Sequence, residues 1–500
     1  MRQSIAKDAV STIELQAAVE RQVDGLLSWL RPQLVRLVLG LRAGPLSPAT
    51  FCAWELQVAG VLREFGRRLL EATLGSLEDE RSASELLSYE GAVYRRLRQR
   101  TPNTFVATLF GTIRLWRFAS RPRDAAGEPC LFPLELRLGL LCGATPALTD
   151  LIGRRMAEAG ATQSRVREFL WQEHGVRLGV KRLRLLVESL SAGLAEHRQA
   201  AQVEELLRVL RVAADSRGNR KPVLAVGRDG ITLCEYHTRV YEVATAATVT
   251  VFDRAGRRLH TCYLACPPEL GQATMSRMLT ALLREVLTRW EGPLPTLAYV
   301  ADSGDRESDY FDQVLRRMTH PVTGQPLAWE RVIDFFHAAE RVWTMSEMLF
   351  GAGTPRYFAW ARRMLRKLKR QSRGAKRVLH SAAALAARGK LGKTRAKKLR
   401  TAYNYLRRRT RWMRYKDYKA AHIPLGSGIT EAACKTVFTQ RLKLSGMRWT
   451  NDGARQILTL RTVLLSRTWD ATYAKLLAAR AADLPAPYAP TVRHTHKKAA

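Results

Sequence analysis

Three carboxylates are notable for where they fall along the chain. Asp229 follows an apolar stretch that begins at Pro222. Asp302 ends the short apolar run 297–301, and Glu431 sits in the first turn of a helix expected after Gly426-Ser427-Gly428. The chemistry such a trio supports is hydrolysis or transfer of a phosphodiester. That reaction needs an activated nucleophile and a stabilised leaving oxyanion on opposite sides of one phosphorus. Two Mg²⁺ or Mn²⁺ ions roughly 3.5–4 Å apart supply both, and they take oxygen ligands that leave water positions open. Carboxylates from separate elements suffice to hold them, so Asp229, Asp302 and Glu431 are the expected catalytic and metal-holding set. Each also has an ordinary reading. Asp229-Gly230 is first of all a turn dipeptide, an acid at a strand end is routine, and a Glu in a first helical turn is what the helix dipole favours. Their order, with a basic stretch between the second and the third, gives them weight. Asp305 is an alternative ligand to Asp302.

A second element is Asp334-Phe335-Phe336-His337, followed by Glu340. As chemistry, Asp334 and His337 would seat a DNA backbone or assist beside the metals. As structure, Asp334 would cap the next helix and His337 would lie satisfied beneath the following segment. The sequence leaves both readings open.

The elements that must position these groups follow from hydrophobic period. Strands are expected at 222–226, 240–252 and 259–265, then a helix at 272–290, a strand at 297–301, a helix at 310–318 and a strand at 332–336. Together they predict an α/β catalytic core, a mixed sheet with helices packed on it. Before it, the first ninety residues read as helical, with Ser47-Pro48 as a start signal. Phe51, Trp54, Val58, Val61, Leu62, Phe65 and Leu69 form a stripe that core packing explains at least as well as a dimer interface. Two strands are expected around Gly111. Two helices joined at His174-Gly175 suit a helix-turn-helix, with Lys181, Arg182 and Arg184 near the start of the second. Basic helices around a glycine turn also occur in proteins that touch no DNA. From Arg341 to Lys419 about twenty-five Lys and Arg meet only Glu347 and Asp417, which predicts a basic all-α insertion. Arg407, Arg408, Arg409 and Arg411 are its densest DNA-binding candidates. A long final helix is expected from Ile429. The resulting division is a helical N-terminal domain (1–100), a β-hairpin and linker (101–140) and a helix-turn-helix-like domain (141–215). The core's first part (216–340), the insertion (341–420), the final helices with the third carboxylate (421–480) and a disordered tail (481–500) complete it.

Bulk composition points the same way. Eighty-two Lys and Arg against forty-five acids leave a formal charge of +37, and a polyanion is the natural partner. DNA, RNA and acidic membranes all qualify on charge alone. No apolar run reaches the roughly 20 residues of a membrane span, and the start lacks the apolar core of a signal peptide. The seven cysteines are scattered; only Cys262 and Cys266 lie close together, beside His260. Their expected strand setting argues for free buried thiols in a reducing cytosol and against a zinc knuckle.

The string Gly426-Ser427-Gly428-Ile429-Thr430-Glu431-Ala432-Ala433-Cys434-Lys435 is followed by Arg441-Leu442-Lys443, Gly446-Met447-Arg448-Trp449 and Leu460-Arg461. It resembles the C-terminal signature of bacterial insertion-sequence DDE transposases. The Asp-x-x-His element at Asp334–His337 is similar to that of this group and of its Mutator-like and hAT relatives. The resemblance runs from about Thr104 to Trp469. It implies a ribonuclease-H-like core interrupted by an all-helical insertion, Mg²⁺ dependence, and binding of double-stranded DNA at an element's terminal inverted repeats. Carried over by position, it implies Asp229, Asp302 and Glu431 as the triad and Asp334 and His337 as the accessory motif. Arg448 and Trp449 join the expected DNA contacts. Relatives often carry a Cys-x-x-Cys pair after the early hairpin; here only Cys130 stands there, so no zinc is expected. The expectation is therefore metal-dependent cleavage and strand transfer by a homodimer or larger oligomer, in the bacterial cytoplasm on the nucleoid. The alternatives are a non-catalytic DNA-binding derivative and an RNA-directed nuclease on a similar core.

Overall fold

The computed structural model describes residues 2–78, 84–123, 129–302, 304–389 and 391–487, with side chains from residue 13 onward. The chain divides into two units. One comprises Met1–Met156, Thr162–Leu190 and Lys475–Ala500, the other Ala157–Ala161 and Ser191–Ala474.

The first unit opens with two long helices, Arg2–Ala43 and Pro48–Gly75. The second starts where its signal lies: the Ser47 side chain accepts from the Thr50 amide and the Thr50 hydroxyl from the Ser47 amide, with Pro48 next in line. The apolar stripe of this helix is not in a core, however. No residue of Pro48–Gly75 is buried, which overturns the core-packing reading. An antiparallel meander follows, β1 (Leu86–Tyr89), β2 (Ala92–Thr108) and β3 (Gly111–Pro122). Val106, Ile113, Leu115 and Leu134 form a small core beneath it. Helix Gln163–His174 is capped by Thr162 and ends on Gly175 in the left-handed region (φ 64°). Helix Val180–Ala214 then runs 35 residues, far beyond Leu190, and the division between the units falls within it.

The second unit is α/β. Its five-stranded sheet has the order β6-β5-β4-β7-β8, with β4 (Val223–Cys234), β5 (Tyr241–Phe252), β6 (Arg258–Cys266), β7 (Thr296–Ala301) and β8 (Trp329–Ile333). Strands β4, β5 and β6 pair antiparallel; β7 joins β4 and β8 joins β7 in parallel. Alternation along β4 explains why helices cover both faces. Leu224 and Val226 pack with Val203 and Leu210 of the long helix and with Leu279 and Leu283 of helix Ala273–Arg289. Val223 and Ala225 face the opposite way, onto Val342 and Met345 of helix Phe335–Phe350 and the helices that follow. Those helices are Pro355–Arg370, Gly374–Arg388, Lys393–Arg409 and Tyr415–Ala420.

Several elements depart from the sequence pattern. Strand β4 continues through Asp229, which pairs with Ala246, and on to Cys234. Asp229-Gly230 is therefore no turn, because the unbroken ladder to β5 outweighs the local preference of the dipeptide. The helix after β7 begins at Asp305 rather than Tyr310, and β8 ends before Asp334. The single long helix expected from Ile429 is broken. Helix Gly428–Ala433 passes into a π segment, Cys434–Thr439, and a last turn, Gln440–Leu442. A new helix, Asn451–Leu465, starts on a Thr450 cap, after Gly446 turns the chain at φ 74°. Finally, β9 (Ala486–Pro487) pairs with Leu87 and Ser88 of β1. Residues 481–487 are thus ordered, not a tail; residues 488–500 of the expected tail lie outside the described residues.

Candidate active site

Asp229, Asp302 and Glu431 come from three elements far apart in sequence. Asp229 sits within β4 and Asp302 directly after β7, the parallel neighbour of β4. Glu431 reaches them because helix Gly428–Ala433 packs against β4 and β5 at very short range. A Cβ on Gly227 would lie 2.0 Å from the Thr430 hydroxyl, so only glycine permits the approach. The Thr430 hydroxyl in turn meets that of Thr248 on β5 at 2.8 Å.

Asp229 feels the other two. Burial pushes the Asp229 carboxyl above the usual carboxylate range; hydrogen bonds from the Gly230 amide and the Cys434 thiol oppose this, and the charges of Asp302 and Glu431 add to it. Asp302 accepts from the Gly304 amide at 2.9 Å, and its backbone carbonyl accepts from the Tyr405 hydroxyl at 3.1 Å. The latter bond ties the basic helical segment to the end of β7.

Asp334 answers the question the sequence left open. It is wholly buried and caps helix Phe335–Phe350 through the amides of Phe336 and His337. Its other oxygen accepts from the Ser427 amide and, at 2.7 Å, from the Ser427 hydroxyl. The same hydroxyl lies 2.6 Å from Glu431 Oε1. One hydroxyl proton serves one carboxylate at a time, so Asp334, Ser427 and Glu431 form a clasp in which Asp334 is anchored and Glu431 keeps freedom to engage elsewhere. His337 Nε2 lies 3.7 Å from Glu431 Oε1 and Nδ1 lies 3.3 Å from Glu340 Oε2. Burial works against its protonated form, but the bond to Glu340 and the charges of Asp334, Glu340 and Asp302 outweigh it and raise its pKa.

Two groups here escaped sequence reasoning. Glu307, in the first turn of helix Asp305–Gln313, is only 8% exposed. Burial pushes its carboxyl up, and the charges of Asp302 and Asp229 push it further while Arg228 opposes. A Cβ on Gly304 would lie 2.3 Å from its Oε2. The available signal was the acid-rich first turn straight after Asp302. Cys434 is the second: its thiol contacts Asp229, and burial with the charges of Asp229 and Glu431 keeps it protonated. Buried Arg461 holds the π segment around Cys434 by donating to the carbonyls of Thr436 (2.8 Å) and Val437 (2.9 Å).

Asp229, Asp302, Asp305 and Glu307 line a cleft of about 840 Å³, with Glu242 and Glu269 on its walls and Arg306 as the one basic side chain among the described residues that line it. A concentration of acids in a chain of charge +37 is a binding environment for cations. Among the described residues, no three His, Cys, Asp or Glu side chains converge closely enough to hold one ion.

The expected DNA contacts lie elsewhere. Lys181, Arg182 and Arg184 are exposed in the first unit, with Arg182 stacked on Phe105 at 4.0 Å. Arg407, Arg408 and Arg411 are exposed on the basic helices; Arg409 covers Tyr405 and Arg411 covers Trp412, at 4.3 and 3.9 Å. Arg448 is exposed, whereas Trp449 is a packing residue: its indole donates to the Leu442 carbonyl and its backbone bonds Cys234, the last residue of β4, and Tyr236 just past it. Neither the protein-family models nor the curated proteins contain a match to this chain.

Proposed function

We propose that this chain is a DNA transposase that binds the terminal inverted repeats of a mobile element and catalyses metal-dependent cleavage and strand transfer. The observation that carries the reading is the gathering, in an otherwise strongly basic chain, of Asp229 in β4, Asp302 just after β7 and Glu431 on the helix packed against β4, close enough for their charges to act on Asp229. The strand order, with an antiparallel β4–β6 followed by parallel β7 and β8, fits a ribonuclease-H-like core. The resemblance of the Gly426–Lys435 string supports the same assignment.

The donor set fits Mg²⁺ or Mn²⁺. It is built of carboxylate oxygens; burial first and the neighbouring acids next raise Asp229, and a bound divalent cation would offset that repulsion. Two such ions, when bound, supply an activated attacking oxygen and neutralise the leaving one. The residues provide placement. Gly227 admits the Glu431 helix, Ser427 and Asp334 hold it, and His337 faces Glu431 with Nε2 3.7 Å from Oε1. The exposed arginines of the basic helices would track the phosphate backbone, and the segment around Lys181 would read the repeat. Such a protein acts at the nucleoid, on element ends and target DNA.

The lack of convergence among the acidic side chains favours a second reading, a DNA-binding derivative that no longer cuts. The deciding experiment mixes the protein with DNA carrying the repeats that flank its gene, in Mg²⁺ or Mn²⁺. Cutting and joining that vanish in Glu431→Gln while end binding persists support the transposase. Tight binding with no cutting under either ion establishes the derivative.

A further inference from the structure

Glu307 does not sit as a first-turn acid ordinarily does. A glutamate there serves the helix dipole from water or bonds the amide of the N-cap residue. Here the N-cap is Gly304, whose amide is already taken by Asp302 Oδ1 at 2.9 Å. The Glu307 side chain is buried, and among the described residues its carboxylate accepts a hydrogen bond from no group but its own backbone amide. Arg228, the cation whose charge bears on it, spends both terminal nitrogens elsewhere. They donate to the Ser276 hydroxyl and to Gln272 Oε1, each at 3.0 Å, and the guanidinium lies over the Tyr310 ring. A buried carboxylate without a base is costly to keep, and such groups are paired or coordinate a metal. Glu307 also reaches toward a second acid. A Cβ on Gly304 would stand 2.3 Å from Glu307 Oε2 and 3.6 Å from Asp302 Oδ1, so the two oxygens are no farther apart than the sum of these distances. Both residues line the cleft.

We infer that Glu307 is a fourth carboxylate of the metal site and that, with Asp302, it holds one of the two divalent ions. The inference rests on the transposase reading, from which it takes the ions, and adds a ligand that the order of acids along the chain does not indicate. Mg²⁺ and Mn²⁺ take oxygen donors, and Mg²⁺ keeps several waters, so one or two carboxylates suffice to hold it. A pair is therefore enough, although no three acidic side chains of the described residues converge on one point. Asp302 is the shared member: its charge bears on Asp229 in β4 and on Glu307 in the helix after β7. Asp229 and Glu431 remain for the other ion. The burial of Glu307 then has a use. Without a cation it is a desolvated acid beside another acid; with one it is a preplaced ligand that costs little to order on binding.

Mn²⁺ binding to the full-length protein, stripped of metal by a chelator, tests this without any assay of DNA chemistry; the electron spin resonance signal of the free ion reports uptake. Glu307→Gln should raise the dissociation constant of one bound Mn²⁺ roughly 10- to 100-fold. Glu242→Gln removes the same charge from an exposed residue of the same cleft and should raise it no more than about twofold, because water screens that charge. Mn²⁺ should also raise the melting temperature of the unmodified protein more than that of Glu307→Gln, and circular dichroism of the two metal-free proteins should coincide. Equal Mn²⁺ affinity in Glu307→Gln and the unmodified protein overturns the inference and leaves the transposase reading standing, with Glu307 a buried acid of the fold. An equal loss in Glu242→Gln overturns it too, since the effect would then be cleft charge alone. An unmodified protein that takes up no Mn²⁺ overturns the inference together with the metal-dependent reading.

Discussion

The acidic cleft and the basic helices are opposite solutions to placing charge. Around Asp229 the charges are mostly acidic and partly desolvated, so burial and neighbouring acids raise both Asp229 and Glu307. Between Pro355 and Ala420 the cations are many and mostly exposed, and Arg409, Arg411 and Arg414 each lie over a ring, with Arg414 meeting Glu330 as well. Water screens exposed charge within about 10 Å at ordinary salt, whereas buried charge is screened far less. The first arrangement suits chemistry at a point, and the second suits attraction of a long polyanion irrespective of its sequence.

If that contrast is right, damage to each region should have a different signature. The largest effect is expected at the three acids: Glu431→Gln, Asp229→Asn or Asp302→Asn should each lower DNA cleavage by ~10³-fold or more, with doubles little worse than singles because the three act as a unit. Gel-shift affinity for the ends should stay near its starting value. Loss of binding in step with cleavage would mean these residues hold the fold instead. Next, Arg407, Arg408, Arg409 and Arg411 changed together to Gln should weaken random-duplex binding and flatten the plot of log affinity against log salt by up to about 3–4 units. An unaltered slope would make the helices a structural surface.

A smaller effect probes how the cleft is assembled. Gly227→Ala puts a methyl where the Thr430 hydroxyl lies, so the Glu431 helix must retreat. A stability loss of about 1–3 kcal/mol by denaturant titration is expected, and Thr430→Ala should recover part of it. No recovery would mean that the strain lies elsewhere. The smallest effect carries a sign. Glu307 has its folded pKa raised by burial first and by Asp302 and Asp229 next, so its ionised form costs stability at neutral pH. Stability should therefore rise as pH falls through the folded pKa toward the unfolded value, in protein free of divalent ions. Glu307→Gln should raise the melting temperature by a few degrees at pH 7 and by less near pH 4. A lower melting temperature at pH 7 would show that Glu307 is satisfied as a carboxylate.

Much of the core was legible because its signals are local. The β-branched runs that became β5 and β6, the amphipathic helix Ala273–Arg289 and the Ser47-Pro48 start all follow from period and capping, which neighbouring residues set. Asp229 was singled out for its order along the chain while its dipeptide argued for a turn, and the ladder to β5 placed it within a strand. The final helix failed for a like reason: its apolar spacing continues past Leu442, but Trp449 docks its backbone on Tyr236 and Cys234, and the chain must break to let it. Glu307 and Cys434 gave little warning, since burial against a distant acid leaves no pattern nearby.

By itself the sequence determined the charge balance and the alternation that lays helices on both faces of a mixed sheet, and it singled out three acids as candidates. These depend on composition and on contacts a few residues apart. Tertiary structure decided what those acids feel. Whether Asp229 is raised, whether Asp334 is a clasp rather than a ligand, and whether the Phe51–Leu69 stripe has a core to enter are questions of burial and of charges far removed in sequence. Both depend on which atoms exclude water from which others, and that is set only when the whole chain has packed.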